Sequence, residues 1–372
     1  MPFRPFAMER WQSTYENRVD YNLSESGVEP LTLSELLQLS GHDTFAHAKL
    51  GYGQSNGSDV LRSRIAALYD GAIADGVVVM NGSAEANFSA MWQLVRPGDE
   101  VAILVPTYMQ THGLAENFGA HVVEIPLREQ LGWQPDPDQI RRAVTERTRV
   151  LVVTNPSNPT GAVLADDVRA AILETVARTG TWLLADEVYT GAELSGRETS
   201  SFFGTIERVI ATGSLSKAYG LPGLRIGWAV TDPNTAELLW ARSDYTTISP
   251  GELTDRLAVC ALDPAVRPRL LERTRTIIRD GLATLTAWLR DEGGFHWRDP
   301  EAGAICLVRY DAPIDSVELA ELLRVRHSVL IVPGAHFKLG PYIRFGIGVP
   351  AQLQAALARV SRALRSVGVA VE

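Results

Sequence analysis

Short runs of β-branched and aliphatic residues alternate with longer segments of helical periodicity through the first two thirds of the chain. Buried strands are predicted at 77–80, 101–105, 122–125, 150–153, 182–185 and 208–211. Helices are predicted at 59–69, 84–95, 108–119, 137–145 and 165–179. This alternation predicts an α/β fold in which helices cover both faces of a mostly parallel sheet. Because ligands bind beyond the carboxyl ends of the strands in such sheets, we expect a functional site there.

The last third of the chain has a different pattern. A long amphipathic stretch over 252–290 leads away from the predicted sheet. Beyond it, strands are predicted at 304–308, 329–332 and 342–347, and helices at 315–326 and 351–366. These elements predict a second, smaller α/β domain. A short helix is also predicted near the N-terminus, around Trp11 and Tyr15.

Size, charge and cysteine content narrow the class of protein. A chain of 372 residues with 45% hydrophobic content exceeds the usual size of one domain, which favours two. The net charge of -9 argues against a nucleic-acid partner, because phosphate binding needs a basic face. No apolar run is long enough for a membrane span, and no signal peptide is predicted. Cys260 and Cys306 lie far apart, which fits a reducing, cytoplasmic location. The histidines lack the spacing of metal ligands, so no metal is expected.

One lysine stands in a turn between two apolar segments, within residues 212–228. Ser214, Ser216 and Arg225 lie close to this lysine, Lys217, in the sequence. A lysine amine can form a Schiff base with a carbonyl group, while hydroxyls, turn amides and an arginine can bind a phosphate. The combination predicts a site for an aldehyde cofactor that carries a phosphate. An incidental lysine in a surface loop is the alternative.

The segment around Lys217 resembles the lysine region of the pyridoxal-phosphate (PLP) enzymes of the aspartate aminotransferase superfamily, fold type I, class I/II. Four other stretches match this family in the expected order: Asn-Gly-Ser-Ala-Glu-Ala at 81–86, Asn-Pro-Ser-Asn-Pro-Thr-Gly at 155–161, Ala-Asp-Glu-Val-Tyr at 185–189 and Tyr-Ile-Arg-Phe at 342–345. The resemblance implies a large PLP-binding domain over residues 42–285. It also implies that residues 1–41 and 286–372 together form the smaller domain.

Asp186 ends a hydrophobic strand, where an isolated carboxylate is costly without a partner. The resemblance supplies the pyridinium nitrogen of PLP as that partner, which keeps the ring able to accept electrons; a helix N-cap is the alternative. It also makes Lys217 the covalent anchor of PLP and the group that moves a proton at the α-carbon of the substrate. Tyr189 and Asn158 are placed at the phenolic oxygen of the ring. We expect the apolar turn beside Arg225 to lower the pKa of Lys217.

The resemblance also assigns the phosphate and the ring face. Phosphate contacts are expected from the amides of Ser83 and Ala84, at a helix start that favours an anion, and from Ser214, Ser216 and Arg225. Tyr108 is expected over the ring face, with a buried core tyrosine as the alternative. Tyr52 is expected to reach the phosphate of the neighbouring subunit. That contact would make the protein a symmetric homodimer with shared active sites.

Arg344 lies in a short apolar strand, an expensive position for a guanidinium without an anion. The resemblance makes it the clamp for the α-carboxylate of an amino-acid substrate, which suits the fork of an arginine. Gly27 and Asn158 are further substrate-binding residues by the same resemblance. A structural salt bridge is the alternative for Arg344. No second arginine can be assigned to a side-chain carboxylate, so dicarboxylic substrates stay open.

The cofactor alone does not select the reaction, because transamination, elimination, replacement, racemisation and decarboxylation use the same residues. The motif at 155–161, the lysine segment 214–217 and Arg344 are most typical of an aminotransferase. Such an enzyme moves an amino group between an L-amino acid and a 2-oxo acid. The same fold also serves as an effector-sensing domain in some regulators, but the presence of Lys217, Asp186 and Arg344 favours an enzyme.

A second resemblance keeps one alternative reaction open. The N-terminal loop 23–28, together with 214–225, is similar to capreomycidine-synthase-like PLP enzymes, which carry out elimination and ring closure on modified arginines. The alternative is therefore elimination, replacement or cyclisation of an amino acid. Such enzymes need carboxylates for a cationic side chain, and Glu25 or Glu29 could serve. A capping or surface role for these two glutamates is the competing interpretation.

Overall fold

The computed structural model describes residues 3–41, 45 and 47–366. The described residues form twelve α-helices: α1 (Ala7–Tyr15), α2 (Leu33–Ser40), α3 (Asp59–Ala66), α4 (Ser83–Leu94), α5 (Gln110–Asn117), α6 (Pro137–Ala143), α7 (Asp166–Thr179), α8 (Pro233–Ser243), α9 (Glu252–Ala261), α10 (Arg267–Glu292), α11 (Ser316–His327) and α12 (Pro350–Ser366). They also form fourteen strands: β1 (Tyr21–Asn22), β2 (Val77–Met80), β3 (Glu100–Val105), β4 (His121–Arg128), β5 (Gln134–Pro135), β6 (Thr148–Thr154), β7 (Trp182–Asp186), β8 (Val209–Ser214), β9 (Gly227–Val230), β10 (Phe295–Trp297), β11 (Ile305–Tyr310), β12 (Val329–Leu330), β13 (Val332–Pro333) and β14 (Tyr342–Gly346).

Eight strands form one large sheet in the order β2-β9-β8-β7-β6-β3-β4-β5. The pairs β8-β7, β7-β6, β6-β3 and β3-β4 are parallel. β9 is antiparallel to both of its neighbours, and β5 is antiparallel to β4. The predicted mostly parallel sheet is confirmed, and it contains all of the strands predicted between 77 and 211. The hydrophobic pattern misses β9 and β5, two short strands that contain glycine or proline.

Side chains that alternate along the central strands build a core on each face of this sheet. Val152 of β6 packs in one cluster with Met91 of α4. The preceding residue, Leu151, packs in another cluster with Ile172 of α7. Because helices cover both faces, the carboxyl ends of β6, β7 and β8 are where a ligand can approach the sheet.

The C-terminal part carries a separate antiparallel sheet with the strand order β10-β11-β14-β13. The N-terminal segment joins this part of the protein. β1 pairs in parallel with β12, and the amide of Gly346 donates a 2.7 Å hydrogen bond to the carbonyl of Leu23. The loop that follows β1 is therefore held against the C-terminal sheet.

Some predicted elements are divided in the structure. The amphipathic stretch over 252–290 forms α9 and α10, because Pro264 cannot continue a helix and Asp263 accepts a hydrogen bond from the amide of Ala265. The predicted strand at 329–332 forms β12 and β13, which belong to different sheets. The predicted boundary at 285 falls inside α10, and the one at 42 lies outside the described residues. No helix in the described ranges has the length and apolar character needed to cross a membrane.

Candidate active site

A cavity of about 300 Å³ lies at the carboxyl ends of the central strands. Its wall includes Thr154 and Asp186, the last residues of β6 and β7. Nine of the residues predicted for the site line it: Ser83, Ala84, Tyr108, Asn158, Asp186, Tyr189, Ser216, Lys217 and Arg225. These residues come from separate segments of the chain, so the fold is what brings them together.

Asp186 is a buried acid in this cavity. Its Oδ2 accepts a 2.8 Å hydrogen bond from Nδ2 of Asn87, and its Oδ1 accepts a 3.2 Å bond from the amide of Val188. Asn87 is fixed in turn, because its Oδ1 accepts a 2.8 Å bond from the hydroxyl of Thr212. Burial raises the pKa of Asp186 to about 6, and no basic side chain in the described part of the chain offsets this effect. A cationic ring nitrogen would supply the partner that this carboxylate lacks.

Lys217 follows β8 and reaches the same cavity. Its Nζ donates a 2.7 Å hydrogen bond to Oε1 of Glu25, with which it forms an ion pair. Burial lowers the pKa of Lys217, but Glu25 and Tyr189 outweigh burial and raise it. The predicted lowering of the Lys217 pKa is therefore wrong. The physical reason is that Glu25, and not Arg225, is the charged group in contact with the amine.

Arg225 and the start of α4 form a small polar recess. Ser83 and Ala84 are the first two residues of α4, so their amides have no partner within the helix. Gly82 has a φ of +87°, and a Cβ at this position would lie 2.4 Å from Nη2 of Arg225. Nη1 of Arg225 lies 3.5 Å from the hydroxyl of Ser216. Free amides, a hydroxyl and a guanidinium around a glycine are the groups that bind a phosphate.

Asn158 connects two other predicted residues. Its Nδ2 donates a 3.2 Å hydrogen bond to the hydroxyl of Tyr189, and its Oδ1 accepts a 2.9 Å bond from Nη1 of Arg344. Arg344 is fully buried; its Nη2 donates to the carbonyl of Ser24, and its Nε has no partner in the described part of the chain. Within the described residues its guanidinium contacts no carboxylate, so the alternative of a structural salt bridge is not found there. Burial lowers the pKa of Arg344, and an anionic ligand would relieve that cost.

Arg344 lies behind the cavity wall and does not line it, and four further candidates do not line it either. Ser214 is buried and lines a neighbouring cavity. Gly27 donates its amide to Oε1 of Glu25. Tyr52 is 89% exposed, and Glu29 is also exposed. Of the two candidate glutamates, only Glu25 therefore reaches the cavity.

Helix α1 contributes polar residues that sequence analysis missed. Glu9 and Gln12 on α1, and Glu16 at its end, line the cavity at spacings that share one helix face. Oε1 of Glu9 accepts a 2.8 Å hydrogen bond from the hydroxyl of Tyr108. Burial and the nearby carboxylates of Glu25 and Glu9 raise the pKa of Glu16. The spacing was a usable signal, but it does not show which face of the helix turns toward the site.

The comparison with protein families identifies this arrangement. A family model described as aminotransferase class I and II matches residues 42–360. The chain belongs to this aminotransferase family. Among relatives of the family, capreomycidine synthase from Streptomyces vinaceus is 34% identical over 366 residues, which cover 96% of this chain and 93% of that protein.

Solved structures of similar proteins agree with this membership. A PLP-dependent aminotransferase from Streptococcus suis 89-1591 has a TM-score of 0.92 and 31% identity, and the match covers 100% of both chains. The PLP-dependent cyclase OrfR, solved in complex with Au, has a TM-score of 0.88 and 28% identity, with 98% of each chain covered. The predictions of a fold type I architecture, of PLP as the cofactor and of an enzyme of the aminotransferase class are confirmed.

The cavity of this aminotransferase-family chain fits PLP. The buried carboxylate of Asp186 has no cationic partner within residues 3–41, 45 and 47–366, and the recess beside Gly82 and Arg225 suits a phosphate. Asp186, Lys217, Arg225 and the start of α4 are the groups that would hold the cofactor. When bound, PLP supplies an aldehyde for an amine and a ring that accepts the electrons of a bond broken at the α-carbon of the substrate.

Proposed function

We propose that this protein transfers an amino group between an L-amino acid and a 2-oxo acid, with Lys217 as the proton-moving group. The observation that carries the proposal is that Lys217 and Asp186 share one cavity whose wall residue Asn158 is bonded to Arg344. An amine that can move a proton, a carboxylate for a cofactor ring and a guanidinium for a substrate carboxylate are the groups that transamination requires.

Each of these side chains has a definite task in the proposal. Arg344 binds the α-carboxylate of the substrate, and Asn158 keeps its guanidinium in place. Lys217, once its amine is free, takes the proton from the α-carbon. Asp186 would hold the ring nitrogen of bound PLP as an anionic partner, and Tyr108 would pack against the ring.

Glu9 and Glu16 support a substrate whose side chain carries a positive charge. Both carboxylates line the cavity. Neither of them contacts a lysine or arginine within the described residues, and the hydrogen bond of Glu9 comes from the neutral hydroxyl of Tyr108. A guanidinium or ammonium group on the substrate would pair with these carboxylates through charged hydrogen bonds. We therefore infer that the amino-acid substrate is cationic.

Cyclisation of such a substrate is the second candidate reaction. It is favoured by the 34% identity to capreomycidine synthase and by the likeness to a PLP-dependent cyclase over 98% of this chain. The same glutamates would hold the cationic side chain in that reaction. The difference lies in the amino group, which would stay on the cyclised product instead of moving to the cofactor.

The position of the amino group after one turnover separates the two reactions. Purified holoprotein is mixed with arginine, ornithine, lysine or their hydroxylated derivatives, without a 2-oxo acid, and the quenched products are analysed by mass spectrometry. Transamination yields one 2-oxo acid and one pyridoxamine phosphate per site, whereas cyclisation yields a ring product and leaves PLP unchanged. Lys217→Ala is the control and should yield none of these products. A wild-type protein that converts only neutral amino acids would contradict the cationic substrate.

We further infer a cytoplasmic homodimer with shared active sites. Tyr52 is 89% exposed in the single chain, which supports its predicted contact with the neighbouring subunit. Cys260 and Cys306 are buried free thiols, which supports a reducing compartment. We also keep the predicted division into residues 42–285 and residues 1–41 with 286–372 as a proposal.

A further inference from the structure

One carboxylate oxygen of Glu25 accepts three hydrogen bonds. Oε1 lies 2.8 Å from the amide nitrogen of Ser26, 2.8 Å from that of Gly27 and 2.7 Å from Nζ of Lys217. The two amides belong to the same loop as Glu25 and bend the side chain back onto its own backbone. The third donor comes from a segment 192 residues further along the chain, after β8. Glu25 is therefore a fixed acceptor directed at the free amine.

The loop that carries Glu25 is packed too closely to move easily. The amide of Leu23 donates a 2.8 Å hydrogen bond to the carbonyl of Leu330. A Cβ added at Gly346 would lie 2.0 Å from the carbonyl oxygen of Glu25, and one at Gly348 would lie 2.0 Å from that of Gly27. Such approaches are possible only for glycine. The C-terminal strand and the residues after it thus clamp the backbone on both sides of the acceptor.

The charges around the amine come from several elements. Glu25 on the N-terminal loop and Tyr189 after β7 favour the protonated form of Lys217, whereas burial and Arg344 on β14 oppose it. Glu16 at the end of α1 is a further negative group that interacts with Lys217. The strong lowering of the Glu25 pKa to about 2, caused first by Lys217, indicates that the contact is a true ion pair at neutral pH.

We propose that Glu25 is a positioning residue that holds the Lys217 amine as an ammonium ion whenever no cofactor is attached, and so makes cofactor uptake depend on pH. Only the neutral amine can attack the aldehyde of PLP. The ammonium must first lose one proton to solvent; the nitrogen then bonds to the aldehyde carbon, and one water molecule leaves. The inference rests on PLP as the cofactor and not on the reaction that follows, because no amino acid takes part.

The number of lysines makes a direct measurement possible. The chain contains three lysines, Lys49, Lys217 and Lys338. Full-length protein freed of cofactor is acetylated with trace acetic anhydride from pH 6 to pH 11, and the label at each lysine is measured by mass spectrometry. Lys49 is exposed and serves as the internal reference. We expect Lys217 to titrate at a higher pH than a free lysine, whose pKa is about 10.4. Titration at the same or a lower pH would overturn the proposal without any variant.

Three variants then test the role of Glu25. Glu25→Gln should shift the Lys217 titration to lower pH and raise its labelling at pH 8 by about tenfold, the effect of one pKa unit. Glu29→Gln removes a charge from an exposed position of the same loop and should leave Lys217 unchanged. Glu25→Asp keeps the charge and should stay closer to the wild type than Glu25→Gln does. Equal titration curves for wild type and Glu25→Gln would overturn the proposal.

Cofactor uptake gives an independent readout. The absorbance change after mixing cofactor-free protein with PLP should develop about tenfold faster at pH 8 in Glu25→Gln than in Glu29→Gln. The two rates should converge at high pH, where Lys217 is neutral in both proteins. Identical rates at pH 8 would contradict the role of Glu25. Neither lysine labelling nor PLP uptake involves an amino acid. A protein that does not catalyse transamination could therefore still show both effects of Glu25, and the two proposals can fail separately.

Discussion

Asn158 and Arg344 are joined by a 2.9 Å hydrogen bond between Oδ1 of the amide and Nη1 of the guanidinium. The other end of the same amide donates to the hydroxyl of Tyr189, so one side chain sets the distance between β14 and the segment after β7. Arg344 is fully buried, and its Nε has no partner among the residues that the structure describes. Its position costs free energy that an anionic ligand would recover. Within our proposal, that ligand is the α-carboxylate of the substrate.

Arg344→Lys should raise KM for amino acids by about ten- to a hundredfold, because charged hydrogen bonds of about 1.5–3 kcal/mol depend on the fork of the guanidinium. The measurement is the steady-state KM together with the dissociation constant of a carboxylate inhibitor. Arg326→Lys makes the same change at an exposed position of α11 and should alter neither value. Equal affinities in wild type and Arg344→Lys would remove this residue from the substrate site.

Asp186→Asn should stabilise the cofactor-free protein against unfolding, but it should weaken the binding of PLP. In the folded protein, Asp186 holds its proton up to a pH of about 6, against about 3.8 in the unfolded chain. The folded state therefore binds more protons between these values, and its stability falls as the pH rises through them. Asp186→Asn avoids this loss, which amounts to about 3 kcal/mol at pH 7. Denaturant unfolding of cofactor-free protein at pH 4 and pH 7 measures the difference.

With PLP present, the same variant should lose the cofactor. Removal of one partner of a buried ion pair costs about 3–5 kcal/mol. The dissociation constant of PLP should therefore rise about a hundredfold or more. Glu187→Gln is the matched control, since burial also raises the pKa of Glu187 to about 7 and its carboxylate faces a different cavity. That variant should gain stability at neutral pH and keep its PLP. Loss of PLP from both variants alike would show that Asp186 has no special role.

Local sequence patterns predict the strands of this protein, but they do not predict the contacts between distant segments. Strands such as β6 and β7 are predicted well, because buried parallel strands are continuous apolar runs. The motif residues Asp186 and Lys217 are also found, since Asp186 ends such a strand and Lys217 follows another one. The contact between Glu25 and Lys217 joins residues 192 positions apart, and no periodicity reports it. That contact reverses the predicted direction of the Lys217 pKa.

The position of the α1 residues at the cavity could not be predicted from the sequence for a related reason. A helix around Trp11 can be recognised from the sequence, but the face that meets the cavity depends on how the helix docks. The docking is set by tertiary contacts such as the 2.9 Å hydrogen bond from Nε1 of Trp11 to the carbonyl of Ile331. Glu9 and Glu16 become candidate specificity residues only after that geometry is known.

Glu16→Gln should reduce kcat/KM for arginine-type substrates about three- to tenfold relative to a neutral amino acid of similar length, such as methionine. The expected loss is modest because Glu16 is partly exposed and solvent screens its interactions. Glu9→Gln should act in the same direction. The ratio of kcat/KM for the two substrates is the relevant measurement, with Glu29→Gln as the exposed control. Equal decreases in kcat/KM for arginine and methionine would show that the glutamates do not discriminate between substrates by side-chain charge.

Mixed dimers test the proposed contribution of Tyr52 from the neighbouring subunit. Tyr52→Ala and Lys217→Ala should each be strongly impaired as pure proteins. Co-expression of the two variants with different affinity tags gives heterodimers in which one site combines the intact Lys217 of one chain with the intact Tyr52 of the other. Because only half of the dimers are mixed and each has one intact site, a random mixture should recover about a quarter of wild-type activity. If Tyr52 acted within its own chain, every site would lack one of the two residues, and mixing would recover nothing.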